Sequence, residues 1–146
     1  MLCESIDSLH SLAQDKTAVE FILKVDTDDK ATLDILPKLT EILPLKTILS
    51  PRGNGYHDMH NWVNQMASLA TGDWLLLWND DAIMKSEHWE QTLATGNGYG
   101  LWHGVSEVCL LCMRTVGRDN ANEFVVLRRD TFKILGHFSR SPHNDN

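Results

Sequence analysis

The stretch Trp74-Leu-Leu-Leu-Trp78, followed at once by Asn79-Asp80-Asp81, decides which fold the sequence predicts. An unbroken apolar run of this length is typical of a strand that is covered on both faces, as in a parallel sheet. Such a strand would deliver adjacent carboxylates to the rim of the sheet. Like charges this close repel each other unless a cation or hydrogen bonds compensate, and carboxylates suit the hard cations Mg²⁺ and Mn²⁺. The alternative is a pair of solvated carboxylates in an ordinary turn.

Two earlier stretches repeat this arrangement of an apolar run and a polar loop. Residues 19–25 (VEFILKV) lead into Asp26-Thr-Asp-Asp29, and residues 46–50 (KTILS) lead, after Pro51, into Arg52-Gly-Asn-Gly55. Ligands of open α/β sheets bind beyond the carboxyl ends of the strands. The sequence therefore predicts that the three polar loops converge on one crevice, although each loop alone also fits a plain turn.

Helical periodicity fills the spaces between these strands. Residues 2–14, 30–43, 58–70, 87–94 and 130–136 predict helices, and Pro37 is expected to break or kink the one over 30–43. The last third predicts strands at residues 100–105, 107–116 and 123–128, with a hairpin connection at 117–122. The prediction is a single α/β domain over residues 1–146. Its Rossmann-like, mostly parallel sheet is flanked by helices and ends in antiparallel additions in the C-terminal third.

Composition narrows the classes of partner and the compartment. A chain of 146 residues can form one domain with a sizeable core. The net charge of -7 argues against nucleic acid as a partner, because phosphate backbones need a basic surface. The sequence has neither an apolar run of the ~18 residues that a membrane span requires nor a secretory leader pattern. These features predict a cytoplasmic protein without a transmembrane segment.

The cysteine and histidine pairs have metal-like spacing but weaker support. Cys109 and Cys112 have the spacing of a redox or zinc motif, yet they lie in an apolar run, which favours buried strand cysteines. His57 and His60 stand about one helical turn apart. Because no third ligand is evident in the sequence, we interpret them as surface or rim histidines.

Taken in order, these blocks resemble the GT-A nucleotide-diphospho-sugar glycosyltransferases, especially the large family 2 type. The blocks that carry the resemblance are VEFILKVDTDD (19–29), RGNGYHDMHNWVNQMASLATGD (52–73), WLLLWNDDAIM (74–84) and FVVLRRDTFKILGHF (124–138). They match the family's acidic loop, its Asn-x-Gly stretch, its DXD-type motif and its later strand and helix. The resemblance implies transfer of a sugar from a UDP- or GDP-linked donor to the hydroxyl of a saccharide or other acceptor.

The DXD-type motif is the most informative block of the resemblance. Asn79 and Asp80 fall on its earlier positions, beside the donor, and Asp81 falls on its last, usually metal-binding position. An asparagine replaces the acid that the family often has at the first position. The resemblance therefore implies that Asp81 is the main ligand of Mn²⁺ or Mg²⁺.

The remaining site residues are also assigned by their place in the family's pattern. Asp26, Arg52 and Asn54 would contact the base or ribose of the donor. Near the end of the chain, Asp145 lies where the family often has a catalytic aspartate or glutamate, so it is the candidate general base that removes the proton of the acceptor hydroxyl. His143 is a further candidate metal ligand.

The chain departs from the family at both ends. The family begins with a strand and a Pro-Thr-type loop, whereas this chain starts at the following helix, and family members continue beyond the point where it stops. We therefore expect a shortened chain, such as a fragment of a longer enzyme, whose exposed sheet edge could pair with a second copy. A non-catalytic nucleotide-sugar-binding or assembly module of the same fold stays open as the alternative. A nucleotidyltransferase-like enzyme is a third reading.

Overall fold

The computed structural model describes residues 1–95, the backbone of residues 110–113, and residues 124–138. This part of the chain forms two compact units. The first unit comprises the described parts of Met1–Val19 and Gly72–Thr131. The second unit comprises the described parts of Glu20–Thr71 and Phe132–Asn146.

Helices and strands alternate along most of the chain. The helices are α1 (Leu2–Leu12), α2 (Lys30–Ile42), α3 (Met59–Leu69), α4 (Trp89–Thr95) and α5 (Arg129–Leu135). The strands are β1 (Phe21–Asp26), β2 (Leu45–Ser50), β3 (Trp74–Leu76), β4 (Leu110–Met113) and β5 (Phe124–Arg128). Short 3-10 turns lie at Lys16–Ala18 and at Gly55–Asp58.

The second unit is built on a parallel pair of strands. β1 pairs with β2 in a register that runs from Phe21 opposite Leu45 to Asp26 opposite Ser50. Asp26 and Ser50 are therefore the last residues of their strands and lie at the same edge of the sheet. This edge is where α/β proteins usually bind ligands.

Helix α3 packs against β1, and helix α2 packs against β2. The side chain of Asp29 caps α2 by accepting a hydrogen bond of 3.1 Å from the backbone N–H of Thr32. Helix α3 buries Val63 and Ala67, which are one helical turn apart, while β1 buries Val25 to 3% exposure. The core of the unit fixes β1, and β1 in turn fixes the place of Asp26.

The first unit is built on an antiparallel sheet with β5 in the centre, in the order β3-β5-β4. Leu75 pairs with Leu127, and the backbone of Leu111 pairs with Val126. Val126 has 0% exposure, as expected for the middle of a central strand. Helix α1 contributes Ile6 and Leu9 to the core from one helical face, and Ala13, which follows the helix, is also buried.

The mixed α/β character that the sequence predicts is confirmed, and so is antiparallel pairing of strands near the C-terminus. These strands are not added to a mostly parallel sheet, because they form a three-stranded sheet with β3 while the parallel sheet has two strands, and both sheets are small. Two further details differ from the prediction. Strand β3 does not extend the parallel pair, because its hydrogen-bond partner among the described residues is β5. Pro37 does not divide α2, which is continuous over Lys30–Ile42. The hydroxyl of Thr40 donates to the carbonyl of Pro37 at 2.8 Å, within the same helix.

Candidate functional site

Four charged side chains meet at the carboxyl end of β1, and we refer to them as the charged cluster: Lys24, Asp26, Asp28 and Arg52. Lys24 donates to one carboxylate oxygen of Asp26, and Arg52 Nη1 lies 3.3 Å from the other. The guanidinium of Arg52 also reaches Asp28 through Nε at 3.4 Å and Nη2 at 3.3 Å. These hydrogen bonds, together with the charges of Asp28 and Asp26, raise the pKa of Arg52 above its usual value. The chain thus supplies the cations for both carboxylates.

Lys24 is the member of the cluster that sequence reasoning missed. It lies within the apolar run over residues 19–25, yet its side chain is only 13% exposed. Its ammonium group stands 4.7 Å from the centroid of the Trp62 ring and 3.4 Å from the carbonyl of Pro51. An ammonium over an indole face is an attractive cation–π arrangement. A lone lysine inside a strand pattern was the available signal, because a buried lysine needs an acidic or aromatic partner.

The loop after β2 carries Arg52 and Asn54, and Asp58 holds it in shape. The backbone N–H of Asn54 donates to Asp58 Oδ2 at 2.8 Å. Gly53 has φ +64, and a Cβ at this position would stand 2.5 Å from the same oxygen. The loop therefore needs glycine here for two reasons, the left-handed backbone and the close approach of Asp58.

The DXD-type motif forms a tight turn in the first unit, which we call the acidic turn: residues 79–82. The carbonyl of Asn79 accepts a hydrogen bond of 3.2 Å from the N–H of Ala82, so Asp80 and Asp81 occupy the two central positions. The side chains of Asn79, Asp80 and Asp81 are exposed. Within the part of the chain that the structure describes, neither aspartate has a basic side chain within ion-pair distance.

The structure brings some of the predicted site residues together and leaves others unplaced. Asp26 and Arg52 are in contact, and Asn54 follows in the same loop of the second unit. The acidic turn belongs to the first unit, so the convergence of all three loops stays a prediction. His143 and Asp145 lie outside the described residues. The predicted strand at residues 100–105, the hairpin at 117–122 and Cys109 also lie outside them.

The residues of the acidic turn fit a hydrated Mg²⁺ or Mn²⁺ site in their chemistry. Such ions commonly bind one or two carboxylates and take their other ligands from water and substrate phosphates. Asp80 and Asp81 can supply those carboxylates, and both side chains are exposed. Over residues 1–95 and 124–138, no group of three or more histidine, cysteine, aspartate or glutamate side chains could enclose a metal. The turn therefore suits an ion that arrives with a phosphorylated ligand better than a structural ion.

No protein-family model, curated protein or solved structure matches the chain. None of the helices in the described segments has the length and apolarity that a bilayer crossing requires.

Proposed function

We propose that the chain is the nucleotide-sugar-binding core of a metal-dependent glycosyltransferase with a Rossmann-like GT-A sheet. The observation that carries the proposal is the acidic turn. Its two adjacent, exposed carboxylates follow an apolar strand and have no basic partner among the described residues. Repulsion between such carboxylates is relieved by a divalent cation, and a divalent cation is what a diphosphate leaving group needs.

The charged cluster supports the same proposal from the second unit. It lies at the carboxyl end of parallel strands, where α/β proteins bind nucleotides. Asp26 can accept hydrogen bonds from a ribose or a base, and the exposed guanidinium of Arg52 can donate to either. Asn54 would add an amide that both donates and accepts.

The residues divide the chemistry of sugar transfer in the following way. Asp81, with Asp80 beside it, would hold the cation, which when bound supplies positive charge to the leaving diphosphate. Asp145 would take the proton of the acceptor hydroxyl as its oxygen bonds to the anomeric carbon. The bond from that carbon to the diphosphate then breaks, and the nucleoside diphosphate leaves. His143 is the proposed additional metal ligand.

The binding test uses UDP, GDP and their sugar conjugates, titrated by calorimetry into the chain with and without MnCl₂. We expect binding that requires Mn²⁺, and a loss of affinity of about 100-fold or more in Asp81→Ala, because a direct ligand is removed. The matched control is Asp73→Ala, which removes another exposed aspartate of the same unit. Binding that is independent of Mn²⁺, or equal affinities in the two variants, would refute the proposal.

The second candidate is a binding module of the same fold that lacks turnover. Asn79 favours it, because an amide at the first motif position lowers the negative charge of the turn. Both candidates predict Mn²⁺-dependent binding, so the product decides between them. Release of free UDP or GDP from the sugar conjugate, with or without an acceptor, identifies the enzyme, whereas binding with no release identifies the module.

A further inference from the structure

Helix α1 holds the acidic turn through two serine hydroxyls, and the first is Ser5. Ser5 is 1% exposed and lies beside the buried side chain of Ile6. Its hydroxyl accepts a hydrogen bond of 2.9 Å from Trp78 Nε1 and donates one of 3.1 Å to the carbonyl of Asn79. A buried hydroxyl needs such partners, and here both come from the residues immediately before Asp80.

The second hydroxyl belongs to Ser8, which is one helical turn further along the same face of α1. It accepts a hydrogen bond of 2.9 Å from the backbone N–H of Met84 and donates one of 2.7 Å to the carbonyl of Ser5. Met84 is buried at 4% exposure, so its backbone is fixed on the core side of the segment. The two serines therefore form hydrogen bonds with the backbone at both ends of the segment 79–84.

The segment between these two contacts contains the acidic turn. The carbonyl of Asn79 accepts from Ser5 and also from the N–H of Ala82, so the same oxygen anchors the segment to α1 and closes the turn. The side chains of Asp80 and Asp81 take no part in these hydrogen bonds, and their carboxylates are exposed to solvent. The backbone is fixed while the carboxylates stay available, which is the arrangement of a preorganised ligand pair.

We infer that Ser5 and Ser8 are positioning residues that set the conformation of the acidic turn and thereby its affinity for a divalent cation. The part of this inference that concerns the cation rests on the proposed function. The part that concerns the turn does not, because it follows from the hydrogen bonds alone. Neither hydroxyl is a ligand, since both are engaged with the backbone of residues 79–84 or of α1.

The test compares Ser5→Ala and Ser8→Ala with Ser11→Ala, which removes an exposed serine from the same helix. Two quantities are measured in each: the affinity for Mn²⁺ alone, by paramagnetic relaxation of water, and the exchange rates of the Ala82 and Met84 amides, by NMR without metal. We expect Ser8→Ala to speed exchange at Met84 about tenfold or more, because the amide loses its acceptor. We expect Ser5→Ala and Ser8→Ala each to weaken Mn²⁺ binding about tenfold, and Ser11→Ala to change neither quantity.

Two further variants keep the test decisive. If Ser5→Ala does not fold, Ser8→Ala alone carries the comparison, because Ser8 is only half-buried. Ser8→Thr retains the hydroxyl and should restore both quantities to within about twofold of the wild type, which a role in packing alone would not predict.

The outcomes separate the two claims. The inference is overturned if Ser5→Ala and Ser8→Ala match Ser11→Ala in both quantities. It is also overturned if these two substitutions speed amide exchange but leave the Mn²⁺ affinity unchanged. If the wild-type chain binds Mn²⁺ only with UDP present, the affinities are compared in that mixture. A wild-type chain that binds Mn²⁺ neither alone nor with UDP contradicts the proposed function, and the amide exchange rates then decide by themselves whether the serines position the turn.

Discussion

The acidic turn and the charged cluster both place carboxylates at or just beyond the end of a strand, yet these carboxylates are held in different ways. In the cluster, Asp26 has a lysine on one oxygen and an arginine on the other. In the turn, Asp80 and Asp81 have no basic partner among the described residues, and hydroxyl-to-backbone hydrogen bonds from α1 fix the shape. A carboxylate with its own cation contributes to folding, whereas one without is available to an external cation. The same residue type is therefore paired with cations of the chain in one unit and has no basic partner among the described residues in the other.

The largest effect is expected when the cluster loses its least exposed cation. Lys24→Met should lower the free energy of unfolding by about 2–3 kcal/mol, because it leaves the mostly buried Asp26 with only a solvent-exposed arginine. Urea unfolding followed by circular dichroism measures this. Lys38→Met, at an exposed lysine of α2, is the control and should change little. Equal effects of the two substitutions would show that the cluster is not compensated from within the chain.

The sequence could predict the elements around both regions because their signals are local. Apolar residues recur at helical spacing in α1 and α3, and they form short continuous runs in β1 and β2. Each of these patterns can be recognised within one or two helical turns or within one strand. It could also predict that Asp26 and Arg52 come together. Both follow strands that end at the same edge, and the structure places their side chains in contact.

Such local patterns could not predict which distant residues pair with a given strand or with a single polar side chain. Strand β3 pairs with β5, which lies about 50 residues away in sequence. The local pattern of residues 74–78 contains no information on such a distant partner. Likewise, Ser5 looks like an ordinary serine in an amphipathic helix, because only the fold reveals that Trp78 and Asn79 are its partners. For Lys24, a lysine inside an apolar run was a signal that it needs a partner, but only the fold shows that the partners are Asp26 and Trp62.

A smaller effect is expected from the loop that carries Arg52, and it sharpens the contrast because residues 79–82 contain no glycine. Gly53→Ala should cost about 1–2 kcal/mol, since alanine resists the left-handed backbone and its Cβ would meet Asp58. Gly55→Ala is the matched control, with φ +61 but no atom within 4 Å, so it should cost about 1 kcal/mol. Chemical denaturation of both variants gives the difference. If Gly55→Ala proved the costlier change, the contact with Asp58 would not be what restricts this loop.

The smallest effect concerns two capping aspartates, one in each unit. A hydrogen bond from the Thr32 hydroxyl, followed by one from its N–H, lowers the pKa of Asp29, and Thr17 does the same for Asp15. A carboxyl whose pKa is lower in the folded state stabilises the protein above its unfolded pKa, and this contribution is lost as the pH falls. We therefore expect both caps to weaken below about pH 4, measured as the pH dependence of unfolding in Asp29→Ala and Asp15→Ala.

The two capping aspartates differ in whether a nearby positive charge lowers their pKa. This difference tests whether the cations of the charged cluster act on carboxylates beyond those they contact. The positive charge of Arg52 also lowers the pKa of Asp29, whereas hydrogen bonds alone lower that of Asp15. Arg52→Gln should therefore raise the pKa of Asp29 slightly and leave that of Asp15 unchanged, as followed by NMR titration of the side-chain carboxyl carbons. The shift should shrink in high salt, because Arg52 is exposed to solvent. An Asp29 pKa that ignores both the substitution and the salt would mean that the cluster's cations act only on the carboxylates they touch.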